Sequence, residues 1–340
     1  MAKLRVAVLY DVWDDGSEPD APEPARRGSK KKPEKEDRQE VHEALKGLGH
    51  SPFYVEIDGT TESLKMLADT ECDLVFNLTE SWAGDDTKDI NLAAYLDLLG
   101  RKYTGTGPGG LHLAQNKSLA KKLFAFHGIR TPYFASVHRG RLDWSHDLQF
   151  PVIVKPARED GSIGISFNAL CESIKDLMER IHELHEQFDS PVLIEEYIEG
   201  REMYVAVLGN GEPEALPVVE LDLSRLPEGT PKIAGSEVKW EKGTVAYKVT
   251  KSILPSDLAE ETVQALQQTA VQAFRALELR DYGRIDMRLT ADNRVYVLEV
   301  NPNPWLHSTA EFAMAAKKSG RDYPALIDEI VNLALARYRS

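Results

Sequence analysis

The chain has 340 residues, more than one hydrophobic core usually supports, so two or three domains are expected. A hydrophobic content of 42% and a charged content of 28% are typical of a globular protein. The net charge of −14 argues against a general nucleic-acid binder, which needs a basic face.

Cys72 and Cys171 cannot form a disulfide framework and are expected to be partly buried thiols in a reducing compartment. The apolar residues 4–10 are followed at once by charged residues, which predicts a first strand rather than a signal peptide. No apolar run approaches the ~20 residues that a membrane helix needs. We therefore expect a cytoplasmic protein without membrane or nucleic-acid partners.

The first third of the chain alternates between predicted strands and predicted helices. The strands are 4–10, 52–57 and 73–78, and the helices are 37–48, 61–69 and 88–99. This alternation predicts a parallel sheet through about residue 110, with ligands at the carboxyl ends of its strands. Residues 14–40 contain almost no large apolar residue and are predicted to form a mobile, solvated loop.

The remaining two thirds mix strands and helices without that regular alternation. The predicted helices are 111–127, 172–188, 258–279 and 324–338, and the predicted strands are 151–156, 164–168, 191–198, 203–210, 216–222, 284–289 and 295–300. We place domain boundaries near 115 and 203. The prediction is therefore a domain 1–115 with a parallel sheet, a central domain 116–203 and a C-terminal domain 204–340.

The segment 283–303 predicts a hairpin that gathers polar side chains. Arg284, Asp286 and Arg288 alternate with apolar residues, which is typical of a half-buried strand. If the turn centres on Asp292 and Asn293, which tolerate turn geometry, Asp286 lies opposite the glutamate of the next strand.

That glutamate is Glu299, and the same register places Arg284 opposite Asn301. Period two also puts Glu299 and Asn301 on one face. Two opposed carboxylates repel each other unless a cation intervenes, and carboxylate and amide oxygens suit Mg²⁺. The alternative is that the neighbouring arginines simply neutralise the carboxylates in an ion network.

Two further segments are candidates for binding a phosphate-containing ligand. Residues 155–166 join two predicted strands through Gly161 and Gly164, so backbone N–H groups there can approach phosphates closely. Lys155 ends a buried apolar run beside this loop. The segment 193–202 is rich in glutamates and is either a solvated turn or a hinge that contacts a nucleotide.

The order of these elements resembles the ATP-grasp superfamily and, within it, the D-alanine–D-alanine ligases. The segments that carry the resemblance are VFNLTES at 75–81, YTGTGP at 103–108, FPVIVKPAREDGSIGIS at 150–166, and YGRIDMRL with VLEVNPNP at 282–304. The resemblance implies an ATP-grasp fold of three domains, α/β overall and α+β in the nucleotide-binding part. Its central domain is a lid over ATP, and its C-terminal domain carries the magnesium and phosphate site.

The resemblance also implies roles for individual residues. The implied catalytic residues are Arg284, Lys239 and Lys155. The implied ATP-binding residues are Lys117, Lys155, Gly161, Ser162, Glu195, Glu196, Ile198 and Glu202. The implied metal ligands are Asp286, Glu299 and Asn301, for two Mg²⁺ ions or for Mn²⁺ in their place.

The implied function is an ATP-dependent carboxylate–amine ligase that forms an amide through an acylphosphate and acts on small molecules, with a homodimer as the implied assembly. The sequence departs from the ligases at the amino-acid pockets, where Gly161, Trp240, Ala310 and Trp305 stand at positions of family residues. Asp11, Trp305, His307 and Ser308 are the substitute substrate-binding candidates. The alternatives are therefore a ligase of other amino acids or carboxylic acids, a kinase-like transferase and a non-catalytic ATP-binding regulatory module.

Overall fold

The computed structural model describes residues 3–12, 35–138, 141–144, 149–159, 163–188 and 190–338. The chain divides into two compact units. The first unit comprises Met1–Thr104, Trp305–Ala313 and Arg321–Ser340, and the second comprises Gly105–Pro304 and Met314–Gly320. None of the described helices combines the length and apolar character that crossing a membrane requires.

The first unit opens with three strands and three helices in alternation. They are β1 (Arg5–Asp11), α1 (Asp37–Gly47), β2 (Ser51–Ile57), α2 (Thr61–Asp69), β3 (Leu74–Asn77) and α3 (Asp89–Leu98). The strands form one sheet in the order β2-β1-β3, and both pairs are parallel. The predicted parallel sheet is therefore confirmed.

The second unit begins with two helices, α4 (Pro108–Gln115) and α5 (Lys117–Phe126), and then forms two sheets. The elements up to the middle of the unit are β4 (Phe134–His138), β5 (Arg141–Trp144), β6 (Val152–Pro156), β7 (Leu170–Cys171), α6 (Ile174–Gln187) and β8 (Val192–Glu196). These strands form an antiparallel sheet in the order β5-β4-β8-β6-β7. Apolar residues of α6 pack against it.

The later elements build a second antiparallel sheet. They are β9 (Arg201–Leu208), β10 (Glu214–Ala215), β11 (Val219–Asp222), α7 (Ser236–Lys239), α8 (Val245–Val249), β12 (Lys251–Ile253), α9 (Glu260–Ala276), β13 (Tyr282–Leu289) and β14 (Val295–Asn301). The order is β12-β11-β9-β13-β14, with β10 beside β9. One face of β9, β13 and β14 packs on α9 through buried residues such as Leu266 and Phe274.

Two helices complete the chain, α10 (Glu311–Lys318) and α11 (Tyr323–Arg337). Helix α11 packs against α1 within the first unit. Its N-cap is Asp322, whose carboxylate accepts a hydrogen bond from the Ala325 N–H, as acidic N-cap residues commonly do.

The prediction of one helix over 111–127 is wrong, because the helix is interrupted at Asn116. The Asn116 backbone is not helical, and its side-chain oxygen accepts a hydrogen bond from the Leu119 N–H. Asparagine is a favoured N-cap residue, so it ends α4 and begins α5. Lys117 is therefore the first residue of its helix rather than a mid-helix residue.

The predicted strand at 164–168 is also wrong. Gly164 has φ of +70°, Phe167–Ala169 form a 3₁₀ turn, and the short strand β7 starts later, at Leu170. The Phe167 N–H donates to the Glu237 carboxylate instead of to a neighbouring strand. The Glu237 carboxylate thus takes the hydrogen bond that a neighbouring strand would accept in a sheet.

Most of the predicted mobile loop, residues 14–34, lies outside the described residues. Its last part is not a loop, because α1 starts at Asp37 with a capping box formed by Glu36 and Gln39. The division into three domains stays a prediction. Its second boundary falls inside β9, which contains Met203.

Candidate functional site

Strands β13 and β14 bring together the polar residues that the sequence places on one hairpin. Asp286 pairs with Glu299 and Arg284 pairs with Asn301, as the sequence predicts. On the turn side the predicted register is wrong, because a bulge after Asp286 pairs Met287 with Val297. Asn293 has φ of +60°, which places the turn where expected.

The polar face of β13 is more deeply buried than a half-buried strand would be. Asp286 and Arg288 are only 2% and 4% exposed, so the polar face is buried as well as the apolar one. Burial of charged side chains is costly unless they are paired. The Arg284 guanidinium therefore holds Asp286 at two points, with Nε 2.7 Å from Oδ1 and Nη2 2.9 Å from Oδ2.

Glu299 lies in a field of positive charge. The Lys117 ammonium is 3.6 Å from a Glu299 oxygen. Burial alone would raise the pKa of Glu299, but the charges of Lys117, Lys155, Lys239 and Arg284 outweigh it and lower the pKa to about 2. Glu299 is therefore ionised at neutral pH.

Asp286 responds in the opposite direction. Burial raises its pKa above the ordinary value, Glu299 adds to this, and Arg284 and Lys239 oppose it. The two opposed carboxylates thus differ in their surroundings, because Glu299 is close to three lysines while Asp286 depends mainly on one arginine. An additional cation between them would relieve the cost of ionising Asp286.

Glu195 joins two lysines beneath this cluster. Its carboxylate oxygens lie 3.1 Å from the Lys121 ammonium and 3.2 Å from the Lys155 ammonium, and all three side chains are almost completely buried. Burial tends to raise the pKa of Glu195, but the two lysines outweigh it and lower the pKa. Burial lowers the pKa of Lys121 to about 8, and the charge of Lys155 adds to this effect, while Glu195 and Glu299 oppose it.

Lys121 was not among the predicted site residues, although its spacing from Lys117 could have indicated it. Lys117 and Lys121 are four residues apart on α5 and therefore share one helix face. Lys121 also donates to the Thr131 hydroxyl at 2.8 Å and to the Leu298 carbonyl at 3.3 Å. These contacts fix Lys121 next to the strand that carries Glu299.

Arg288 is a second residue whose importance the sequence did not indicate. Its guanidinium donates to the Gly200 carbonyl at 2.8 Å and to the Lys232 carbonyl at 2.6 Å, and it lies 2.8 Å from the Glu202 carboxylate. It therefore ties the chain between β8 and β9 to the segment that leads to Lys239.

A cavity within the second unit is lined by eight of the predicted catalytic, ATP-binding and metal-binding residues. It is lined by Ile153, Lys155, Ile165, Glu195, Glu196, Tyr197, Ile198, Glu202, Ile233, Ala234, Lys239, Asp286, Arg288, Leu298 and Glu299. Both charged side chains and aliphatic side chains line this cavity. Such a combination suits a ligand with an apolar ring and a charged tail.

Two predicted nucleotide-binding residues, Gly161 and Ser162, lie outside the described residues. Lys117 is described and is 3% exposed. Its ammonium donates to the Glu159 carbonyl at 2.5 Å, close to the start of the glycine-containing segment.

The four candidate substrate residues belong to the first unit. Asp11 accepts hydrogen bonds from the Glu80 N–H at 2.8 Å and from the Ser81 hydroxyl at 2.6 Å. Its carboxylate therefore ties β1 to the segment after β3. Both Asp11 carboxylate oxygens therefore already accept a hydrogen bond from within the protein.

The other three candidates lie together after β14. Trp305 is 45% exposed and stacks on His307, with ring centroids 4.8 Å apart. Ser308 donates through its N–H and its hydroxyl to the Glu40 carboxylate, at 2.6 and 2.8 Å. His307 is buried, and its ring nitrogens contact the Thr309 hydroxyl and the Lys35 carbonyl.

The donor set on β13 and β14 fits a magnesium ion. Asp286, Glu299 and Asn301 offer hard oxygen ligands at neighbouring ladder positions. The Asn301 amide nitrogen is buried and has no hydrogen-bond partner among the described residues. Among the described residues no group of three or more His, Cys, Asp or Glu side chains is arranged to hold a metal ion.

Comparisons with known proteins agree with this geometry. Residues 123–332 match the family described as D-ala D-ala ligase C-terminus. The D-alanine–D-alanine ligase of Halalkalibacterium halodurans is 35% identical over 87% of this chain and 92% of its own length. An uncharacterized protein of Sinorhizobium fredii, y4sG, is 34% identical over 78% of this chain and 75% of its own length.

A solved structure shares the fold along the whole chain. The crystal structure of D-alanine–D-alanine ligase from Bacillus anthracis complexed with ATP superimposes with a TM-score of 0.70. The match covers 99% of both chains at 18% sequence identity. The predicted ATP-grasp fold is therefore confirmed, and this chain belongs to the D-alanine–D-alanine ligase family of C–N bond-forming ligases.

Proposed function

We propose that this protein is an ATP-dependent carboxylate–amine ligase of the D-alanine–D-alanine ligase type that forms an amide through an acylphosphate. The observation that carries the proposal is the convergence of Lys117, Lys155, Lys239 and Arg284 on the opposed carboxylates Asp286 and Glu299. These positive charges suit a triphosphate and the charge that develops during phosphoryl transfer.

Asp286, Glu299 and Asn301 would hold magnesium, which would neutralise phosphate charge when bound. Two ions are the expected number, and Mn²⁺ is a possible substitute by its oxygen-ligand chemistry. The chain already balances these carboxylates with Arg284 and Lys117, which keeps the ligand oxygens in place.

The proposed chemistry requires no nucleophilic side chain. A substrate carboxylate oxygen attacks the γ-phosphorus of ATP, and the bond to the bridging oxygen breaks as ADP leaves. The amine nitrogen then attacks the carbonyl carbon of the acylphosphate, loses a proton, and expels phosphate. Lys155, Lys239 and Arg284 stabilise the oxygen charges in these steps.

The adenosine end is assigned to the part of the cavity next to β8. Glu195 and Glu196 end that strand, and Ile198 and Glu202 follow it on the same cavity wall. We assign the adenine ring to Glu195, the Glu196 backbone and Ile198, and the ribose to Glu202. Gly161 and Ser162 remain predicted phosphate contacts.

The choice of substrates is the open part of this proposal, and a second candidate is a ligase of other amino acids or carboxylic acids. The exposed Trp305 ring, stacked on His307 just after β14, favours that candidate. A large aromatic side chain at this position would accept a different range of substrate side chains than a small residue would. We retain Asp11, Trp305, His307 and Ser308 as proposed substrate-binding residues.

The test is a screen of amino-acid pairs with ATP and MgCl₂, starting with D-alanine alone. ADP, phosphate and product mass are measured together. The proposal predicts that at least one pair gives ADP, phosphate and amide in equal amounts. Arg284→Met is the inactive control. A stable phosphorylated product without amide would indicate a kinase-like transferase, and tight ATP binding without turnover would indicate a regulatory binding module.

A homodimer and a cytoplasmic location stay predictions.

A further inference from the structure

The segment that carries Lys239 contacts the end of the loop that contains the predicted phosphate-binding glycines. We call residues 230–250 the lysine loop and residues 163–167 the glycine segment. The Ser236 N–H donates to the Ile165 carbonyl at 2.8 Å, and the Phe167 N–H donates to the Glu237 carboxylate at 2.9 Å. Both segments belong to the second unit.

We propose that Glu237 is a positioning residue that fastens the lysine loop to the glycine segment and so holds Lys239 at the reacting phosphate; this inference rests on the proposed ligase function. A carboxylate that accepts a backbone N–H forms a strong, charge-assisted hydrogen bond. Glu237 and Lys239 lie on the single turn of α7, so fixing Glu237 limits where the Lys239 side chain can reach.

The packing around Gly235 supports a close contact. A Cβ at this position would lie 3.1 Å from the Ile165 carbonyl oxygen, 3.3 Å from the Ser166 Cα and 2.8 Å from a Glu237 carboxylate oxygen. The two backbones therefore approach each other as closely as a residue without a side chain allows. Gly235 has φ of −79°, so its role is steric and does not depend on a left-handed backbone.

Glu237 is also tied to the rest of the lysine loop. Its backbone carbonyl accepts a hydrogen bond from the Thr244 hydroxyl at 2.7 Å. The base of the loop is held separately, because Arg288 donates to the Lys232 carbonyl. The loop is thus attached at its base through Arg288 and at α7 through Glu237 and Ser236.

The attachment at α7 forms part of the cavity wall. Ile165 of the glycine segment and Ile233, Ala234 and Lys239 of the lysine loop all line the cavity that contains Asp286. Opening this wall would admit water to the acylphosphate. Water would then replace the amine as the attacking group, giving the free carboxylate and phosphate, so ADP would form without amide.

The experiment measures amide formed per ADP formed, with the substrate pair that the wild type uses. Glu237→Ala is expected to lower this ratio well below one and to lower kcat on the order of 10-fold, as misplaced catalytic groups do. Glu237→Gln keeps an acceptor oxygen and is expected to retain a ratio close to that of the wild type. Gly235→Ala, whose Cβ would press on the Glu237 carboxylate and the Ile165 carbonyl, is expected to lower the ratio in the same direction as Glu237→Ala.

Two matched controls lie on the same loop. Among the described residues, the Glu241 carboxylate accepts a hydrogen bond only from the Ser236 hydroxyl, which belongs to the same loop. A Cβ on Gly243 would meet nothing within 4 Å. Glu241→Ala and Gly243→Ala are therefore expected to keep the wild-type ratio. An equal drop in the ratio for Glu241→Ala and Glu237→Ala would overturn the inference.

Hydrogen exchange provides a readout that needs no turnover. The Phe167 and Ser236 amides are expected to exchange faster in Glu237→Ala while amides of β13 keep their protection, which also shows that the variant is folded. Unchanged exchange at Phe167 would refute the fastening role. If the wild type forms no amide with any pair, the ligase proposal fails, and the exchange result still decides whether Glu237 fastens the loop.

Discussion

Arg284 holds the carboxylate of Asp286 at two points, through hydrogen bonds of 2.7 and 2.9 Å from the residue two positions earlier on the same strand. The arginine and the carboxylate therefore occupy one face of β13, side by side. Any cation that binds Asp286 shares it with Arg284, so the positive guanidinium stays close to the proposed site of phosphoryl transfer.

Replacing Arg284 should impair the reaction more than the fold. We expect Arg284→Met to lower kcat by on the order of 10²- to 10³-fold, the typical cost of losing one preorganised charge-stabilising donor. Arg284→Lys should restore little, because a lysine cannot make the planar two-point contact. Steady-state ADP release checks this, and wild-type turnover in Arg284→Lys would show that the two-point contact is dispensable.

Glu195 should make a pH-dependent contribution to stability. Its pKa in the folded chain is lowered from the ordinary value of 4.5 by Lys121 and Lys155, against the effect of burial. A lowered carboxyl pKa stabilises the fold above pH 4.5, and this stabilisation is lost as the pH falls below 4.5 toward the folded pKa. The free energy of unfolding of the wild type should therefore decline in that range.

The comparison is Glu195→Gln against the exposed control Glu199→Gln, measured by urea unfolding. At pH 7 the Glu195 variant should lose about 3 kcal/mol, because it leaves two buried lysines without their carboxylate. The difference from wild type should narrow as the pH falls below 4.5. A difference that stays constant from pH 7 to pH 4 would show that the ionised pair does not contribute in this way.

Gly200 is expected to tolerate no side chain. A Cβ there would lie 2.3 Å from the carbonyl oxygen of Leu289 on β13, a backbone atom that cannot move aside alone. The Gly200 carbonyl also accepts the hydrogen bond from Arg288. Gly200→Ala should cost roughly 1–3 kcal/mol of unfolding free energy, as overpacking does. Gly211→Ala is the control, since a Cβ there meets nothing within 4 Å, and equal stability of the two variants would contradict the steric account.

The core of the site was predictable from sequence because it depends on local rules. Alternation along β13 and β14 and a turn-forming Asn293 were enough to pair Asp286 with Glu299. The bulge after Asp286 was not predictable, since no residue there is specific to a bulge. The register is nevertheless right where the site lies and wrong only between the bulge and the turn.

The contacts between distant segments could not be predicted. Burial of Lys121 beside Glu195 requires α5 to lie against β8, and the donation from Phe167 to Glu237 joins residues 70 positions apart. The same contact explains why residues 164–168 do not form the predicted strand. Family resemblance supplied the roles of Lys239 and Glu202, for which spacing alone gave no signal.

The most direct test of the account is ADP formation as a function of Mg²⁺ concentration in the wild type, Asp286→Asn and Glu299→Gln. Each substitution keeps the size of the side chain and removes one carboxylate from the opposed pair. The account predicts no turnover without a divalent cation and a loss on the order of 10³-fold in both variants at saturating Mg²⁺, since each loses a ligand to the group that neutralises phosphate charge. Wild-type turnover and an unchanged Mg²⁺ requirement in both variants would contradict it.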